Sequence, residues 1–238
     1  MKQEKPGEDK TKAVKTKASK PKTVRKTKAA TKATAPGAAE SGLVQLKIEL
    51  RDTDIKRTII IPEDISLDKC ASVVMGVFGW HGGHLWEYNR GRYNRYAIPD
   101  GFDADFEDLG VTTHDATKIT VGEVLKEAGD KIVFGYDSGD GWEHIITRMA
   151  KPKFDSPCCC SRQGTMGIDD IGGPWRLKEF TEKMLKYETS PASKRDKEFR
   201  KELEWYGFGT KERRIEFLNG PDCVELSRIL LSILKAKV

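Results

Sequence analysis

The 238-residue chain is 37% hydrophobic and 33% charged, long enough for one large or two small domains but too polar for all of it to be packed in a core. Five cysteines, three of them adjacent (Cys158, Cys159, Cys160), make a poor disulfide framework, which argues against a secreted, disulfide-stapled scaffold. No apolar run approaches the eighteen or so residues of a bilayer span, and no apolar signal segment opens the chain, so a soluble cytoplasmic protein with no membrane partner is expected. The formal net charge of +5 is unevenly placed. Residues 1–42 carry twelve Lys/Arg against Glu4, Glu8, Asp9 and Glu40, a net +8, which leaves −3 for residues 43–238.

Residues 1–42 are Lys, Ala, Thr and Pro with almost no large apolar side chain. Such a segment cannot offset its ordering entropy by burial, and a disordered tail is predicted. Its charge suits nonspecific contact with nucleic acid. From Leu43 the pattern changes, as Val44, Leu46, Ile48 and Leu50 alternate with polar residues in the period of a half-buried strand. Arg57–Ile61, stopped by Pro62, reads as its partner. A helix follows, with Ser66 at its N-terminus, Leu67, Cys70, Ala71, Val74, Val77 and Phe78 as its apolar face, and Gly79 as its stop. Cys70 is a core residue in this reading.

His84–Tyr96 reads as two strands around a turn at Asn89-Arg90-Gly91, and 100–108 as an acidic solvated loop. Thr120-Val-Gly-Glu123 is a capping box that opens a short helix running through Ala128 to Gly129. Lys131–Ser138 and Trp142–Arg148 are strands joined by Gly139-Asp140-Gly141, a strong hairpin signal. Ile132, Phe134, Tyr136, Trp142, His144 and Ile146 share one face, which puts His144 among aromatics. A loop carries the three cysteines and Ile171-Gly-Gly-Pro-Trp175, after which three helices are predicted, marked by Leu177/Phe180/Met184/Tyr187, Phe199/Leu203/Tyr206 and Val224–Leu234. The fold class is α+β, a mixed or antiparallel sheet flanked by helices, with one folded body over 43–238.

Several of these strings together carry a resemblance: Phe78-Gly-Trp80, His84-Leu-Trp-Glu-Tyr88, Tyr136-Asp-Ser-Gly-Asp-Gly-Trp-Glu-His144, Gly172-Gly-Pro-Trp175 and Glu204-Trp-Tyr-Gly207. In their order they are similar to the plasmid pRiA4b ORF-3-like family, over roughly Val44 to Leu231. The resemblance implies a bacterial or archaeal α+β domain without an established reaction. The chain departs from the family pattern at Ser138, where Phe is usual, and at Gly167-Ile-Asp-Asp-Ile171, where Pro-Pro-Glu-Asp commonly precedes Gly-Gly-Pro. The cysteine triplet also stands where a single cysteine is usual.

Asp137, Asp140 and His144 are the candidate catalytic residues, because an Asp beside a His can orient an imidazole for general-base work in a hydrolase or help bind a metal. The alternative is structural: the aspartates make the turn and His144 is a satisfied core side chain. Trp142, Gly172, Gly173 and Trp175 are the candidate binding residues, since Gly172-Gly173 at a helix start can cradle an anion. Adjacent cysteines lack the two-residue spacer with which thiolates converge on zinc, and no cofactor motif is present, so neither metal nor cofactor is expected. A binding or adaptor module is favoured over an enzyme.

Overall fold

The computed structural model describes residues 42–99, 106 and 109–236. The basic segment, apart from Gly42, and most of the acidic loop at 100–108 lie outside the described residues. Eight strands form one sheet in the order β5-β4-β3-β6-β7-β1-β2-β8, with β1 Leu43–Leu50, β2 Lys56–Pro62, β3 Trp86–Arg90, β4 Asn94–Ala97, β5 Thr112–Asp115, β6 Lys131–Tyr136, β7 Trp142–Arg148 and β8 Cys158–Gln163. Only β4 and β5 run parallel, so the sheet is mixed and the fold is α+β. The helices are α1 Leu67–Phe78, α2 Val121–Val124, α3 Gly173–Thr189, α4 Lys197–Trp205, α5 Lys211–Asn219 and α6 Cys223–Lys235, with a 3-10 turn at Ala192–Lys194. No helix among the described residues is long and apolar enough to cross a membrane.

The alternation in β1 buries Val44, Leu46, Ile48 and Leu50. The antiparallel register then fixes what joins them: Leu50 lies opposite His144, His144 opposite Phe134, and Phe134 opposite Tyr88. Against this inner face α1 lays Leu67, Cys70, Ala71, Val74, Val77 and Phe78, and it ends where Gly79 takes a left-handed φ of 90°. Ser66 occupies the N-cap position without a side-chain cap bond. Thr120 and Glu123 make the reciprocal capping box, but α2 stops at Val124, short of the predicted Ala128.

Arg57 is wholly buried without a carboxylate. It donates from Nε to the Val77 carbonyl (3.0 Å) and from its terminal nitrogens to the carbonyls of Lys56, Gln163 and Thr165, pinning the C-terminus of α1 to the chain after β8. Burial, helped by the nearby Arg162 charge, pulls its pKa down to about 10.

Three elements depart from the sequence reading. The cysteine triplet is not in a loop but in β8, an edge strand on β2 with a bulge between Thr58 and Ile59. Pleating turns Cys159 toward α6, where its amide bonds Ser227, and away from its two neighbours. Burial, with Cys223 close by, pushes the Cys159 thiol up to about 12, and burial also raises Cys158 and Cys160. β5 is a second strand the sequence did not announce. Its Thr-Thr-His-Asp has no apolar period and pairs only at the sheet edge. The closing helices number four, since α5, Lys-Glu-Arg-Arg-Ile-Glu-Phe-Leu-Asn, buries only Phe217 and Arg214. Arg214 is held there by Glu188 and by the Phe208 and Gly209 carbonyls.

Candidate functional site

Three loops converge at one end of the β6–β7 hairpin: 81–84 before β3, 137–141 between β6 and β7, and 169–173 before α3. In the hairpin, Asp137 takes a left-handed φ of 52°, which Asp tolerates better than most residues. Its Oδ1 accepts the amides of Gly139 (3.0 Å) and Asp140 (3.4 Å). Its own amide bonds the Leu85 carbonyl. Asp140 Oδ2 accepts the Gly172 amide at 2.9 Å, so the N-terminus of α3 already holds a carboxylate from the chain itself. Gly173 is required at this contact, because at φ 87° a Cβ there would sit 2.6 Å from the Asp140 carbonyl oxygen.

Around this anchor lie two histidine–aspartate contacts. His81 Nδ1 and the His81 amide both reach Asp169 Oδ2 at 2.8 Å. His84 Nε2 stands 3.7 Å from Asp137 Oδ2 and 3.3 Å from Asp170 Oδ1. Tyr136, at the end of β6, packs its ring edge-on against His84. Its buried hydroxyl and Asp169 Oδ1 make no hydrogen bond of good geometry. Burial first, then the neighbouring Asp169 carboxylate, push the Tyr136 hydroxyl up.

His144 is not part of this convergence. Its register puts it in the core row with Phe134 and Leu50, edge-on to Phe78. The Trp80 indole, which can only donate, gives its hydrogen to Nε2 at 3.0 Å, so Nδ1 carries the proton and donates to the Phe134 carbonyl at 3.2 Å. Burial pulls its pKa down to about 3. Both ring nitrogens are used and the side chain is sealed from solvent. Trp142 is equally buried, whereas Trp175 is 74% exposed on α3. Thus Asp137, Asp140, Gly172 and Gly173 come together, Trp142 is buried beside them and lines the cavity that opens there, and His144 and Trp175 lie elsewhere. The sequence reading missed His81, His84, Asp169, Asp170 and Tyr136 as site residues. The signal was present in the quoted string that starts at His84 and in the Asp169-Asp170 pair standing just before Gly172.

On the sheet face opposite α1, a cavity of about 770 Å³ opens over β3, β4, β6 and β7, with His84 and Asp137 at one end. Trp86, Val133, Gly135 and the exposed Leu85 and Ile98 give it an apolar floor and rim. Among its charged lining residues are the carboxylates Glu87, Asp137 and Glu143 and one guanidinium, Arg95. Arg95 Nε bonds Glu87 Oε2 at 2.7 Å and its guanidinium lies over the Phe106 ring. Glu143 pairs with Arg51.

Comparison with known proteins agrees with the motif reading. The family model described as plasmid pRiA4b ORF-3-like protein matches residues 42–214. The uncharacterized protein y4hQ of Sinorhizobium fredii is 30% identical over 173 residues, covering 70% of this chain and 82% of that protein. A crystal structure of a protein of unknown function from Methanosarcina mazei Go1 superposes with a TM-score of 0.52 at 18% identity, covering 68% of this chain and 88% of that one. At that identity the likeness concerns the fold alone.

Proposed function

The chain belongs to the plasmid pRiA4b ORF-3-like protein family, and from that premise we propose that it is a binding module whose ligand, a small organic cation with an apolar body, seats in the cavity on the open face of the sheet. The observation that carries the reading is the cavity itself: about 770 Å³, within the size of small-molecule sites, apolar over most of its surface with a few convergent polar groups. Among the described lining residues Glu87 pairs with Arg95 and Glu143 with Arg51, and the Asp137 carboxylate beyond these pairs favours a cation over an anion. The tail adds a second, separate contact. Its net +8 over residues 1–42 supports weak, sequence-independent attraction to nucleic acid through counterion release.

Gly135 supplies the test. A Cβ there would meet only Glu87, at 3.9 Å, so Gly135→Leu fills the cavity without a backbone clash. Tryptamine and indole-3-acetate share an aromatic body and differ in charge. Thermal melts of the wild-type protein are expected to rise with tryptamine and not with indole-3-acetate, and Gly135→Leu to lose the response. A response to both probes alike, or one that survives in Gly135→Leu, would rule the reading out.

A further inference from the structure

We infer that His84, Asp137 and Asp170 form a binding site for a divalent cation of the first transition row. Among the described residues this is the one grouping of three or more His, Cys, Asp and Glu side chains whose ligand atoms gather, all within 4.8 Å of one another. Metal–ligand bonds of about 2.0–2.2 Å set tetrahedral ligands roughly 3.4 Å apart, and the His84 Nε2 separations from Asp170 Oδ1 and Asp137 Oδ2 are 3.3 and 3.7 Å. Those two distances suit a pair of ligands on one cation, and the Asp137 and Asp170 oxygens, within 4.8 Å of each other, close on it by rotation of the exposed Asp170 side chain. The supporting shell is already set. Asp137 Oδ1 is held by two turn amides, which leaves Oδ2 turned to the site, the orientation that outer hydrogen bonds give to metal-bound carboxylates.

A second observation points the same way. The residues that precede two of the three ligands in the chain, Tyr136 and Asp169, each bury a polar atom without a hydrogen bond of good geometry, Tyr136 Oη and Asp169 Oδ1. The Tyr136 residue is 1% exposed and the Asp169 side chain 10%. The Tyr136 hydroxyl is close to the backbone of Gly82 and His84 and to Asp169, and its ring packs edge-on against His84. Buried polar atoms without partners are rare and costly. A hydrated cation on His84, Asp137 and Asp170 would bring waters that satisfy both. One imidazole with two carboxylates suits zinc-class ions better than magnesium, which prefers oxygen throughout. Three protein ligands also leave coordination positions for water or for a group held in the adjoining cavity.

His84 and Asp137 also line that cavity, so the metal is titrated with no amine present and the outcome reports on the metal site alone. Its test is calorimetric titration of the full-length protein with Zn²⁺, and with Co²⁺ followed by absorption. Binding of one ion per chain is expected, weakened at least tenfold by His84→Gln and by Asp170→Asn and unchanged by the double change Cys158→Ser, Cys160→Ser. The Asp170 side chain is 76% exposed, so Asp170→Asn leaves the fold intact, as its melting curve will register. The Co²⁺ spectrum is expected to show weak d–d bands without a thiolate charge-transfer band. Absence of binding, binding indifferent to His84→Gln and Asp170→Asn, or a thiolate band that vanishes with the cysteines would each overturn the assignment.

Discussion

His144 makes the stability of the folded body depend on pH in a defined window. Its imidazole is neutral, its neighbours are the aromatic rings of Phe78, Trp80 and Phe134, and burial holds its pKa at about 3, whereas an unfolded histidine titrates at about 6.5. As pH falls below 6.5 the unfolded chain takes up a proton that the folded chain refuses. The stability is therefore fully present above pH 6.5 and is lost progressively toward pH 3. Between pH 7.5 and pH 5 the loss from this one residue amounts to about 2 kcal/mol. Urea denaturation of the wild type and of His144→Gln at the two pH values isolates it, because His81, His84 and His114 are common to both proteins. The variant is expected to be less stable throughout but to lose about 2 kcal/mol less on acidification. Equal pH dependence in the two proteins would refute a neutral, sealed His144.

Three further outcomes follow from the packing and the charge distribution. A Cβ at Gly167 would lie 2.1 Å from the Trp80 ring, which is fixed by Trp142, Tyr136 and His144. Gly167→Ala should thus cost about 1–3 kcal/mol of unfolding free energy, while Gly83→Ala, with nothing within 4 Å, should stay within about 0.5 kcal/mol. Arg57→Ala strips donors from the buried Val77 and Thr165 carbonyls and from the part-buried Gln163 carbonyl and should cost at least about 3 kcal/mol in chemical denaturation. Removal of residues 1–42 should leave the melting temperature unchanged and abolish duplex DNA binding. The full-length protein should bind two unrelated duplexes equally, with affinity falling steeply as salt rises. Sequence-selective binding by the shortened protein would contradict the tail assignment.

What the sequence made legible is what periodicity and turn chemistry encode locally. β1, β2, α1 and the β6–β7 hairpin follow from alternation, capping and Gly139-Asp140-Gly141, and strand parity alone puts Phe134 and His144 on one face. β5 and α5 escaped because one is a polar edge strand and the other buries little besides an ion-paired Arg214 and Phe217. β8 escaped because consecutive cysteines carry no period. The site divided along the same line. Asp137 and Asp140 meet Gly172 through a long-range contact, but His84 and Asp170 lie far from Asp137 in the chain, and only the closing of three loops brings them together. His144 belongs to the same motif but faces the core side of the sheet, since one residue of strand parity separates the core row from the open face.

The most direct test of the account is an amide NMR titration of the isotope-labelled full-length protein with tryptamine. The cavity reading requires shifts that concentrate on β3 and β6, at Glu87, Asn89, Val133 and Gly135, and that saturate together with one dissociation constant. Shifts confined to the helical side, around α4 to α6, or no saturable shifts at all, would contradict it.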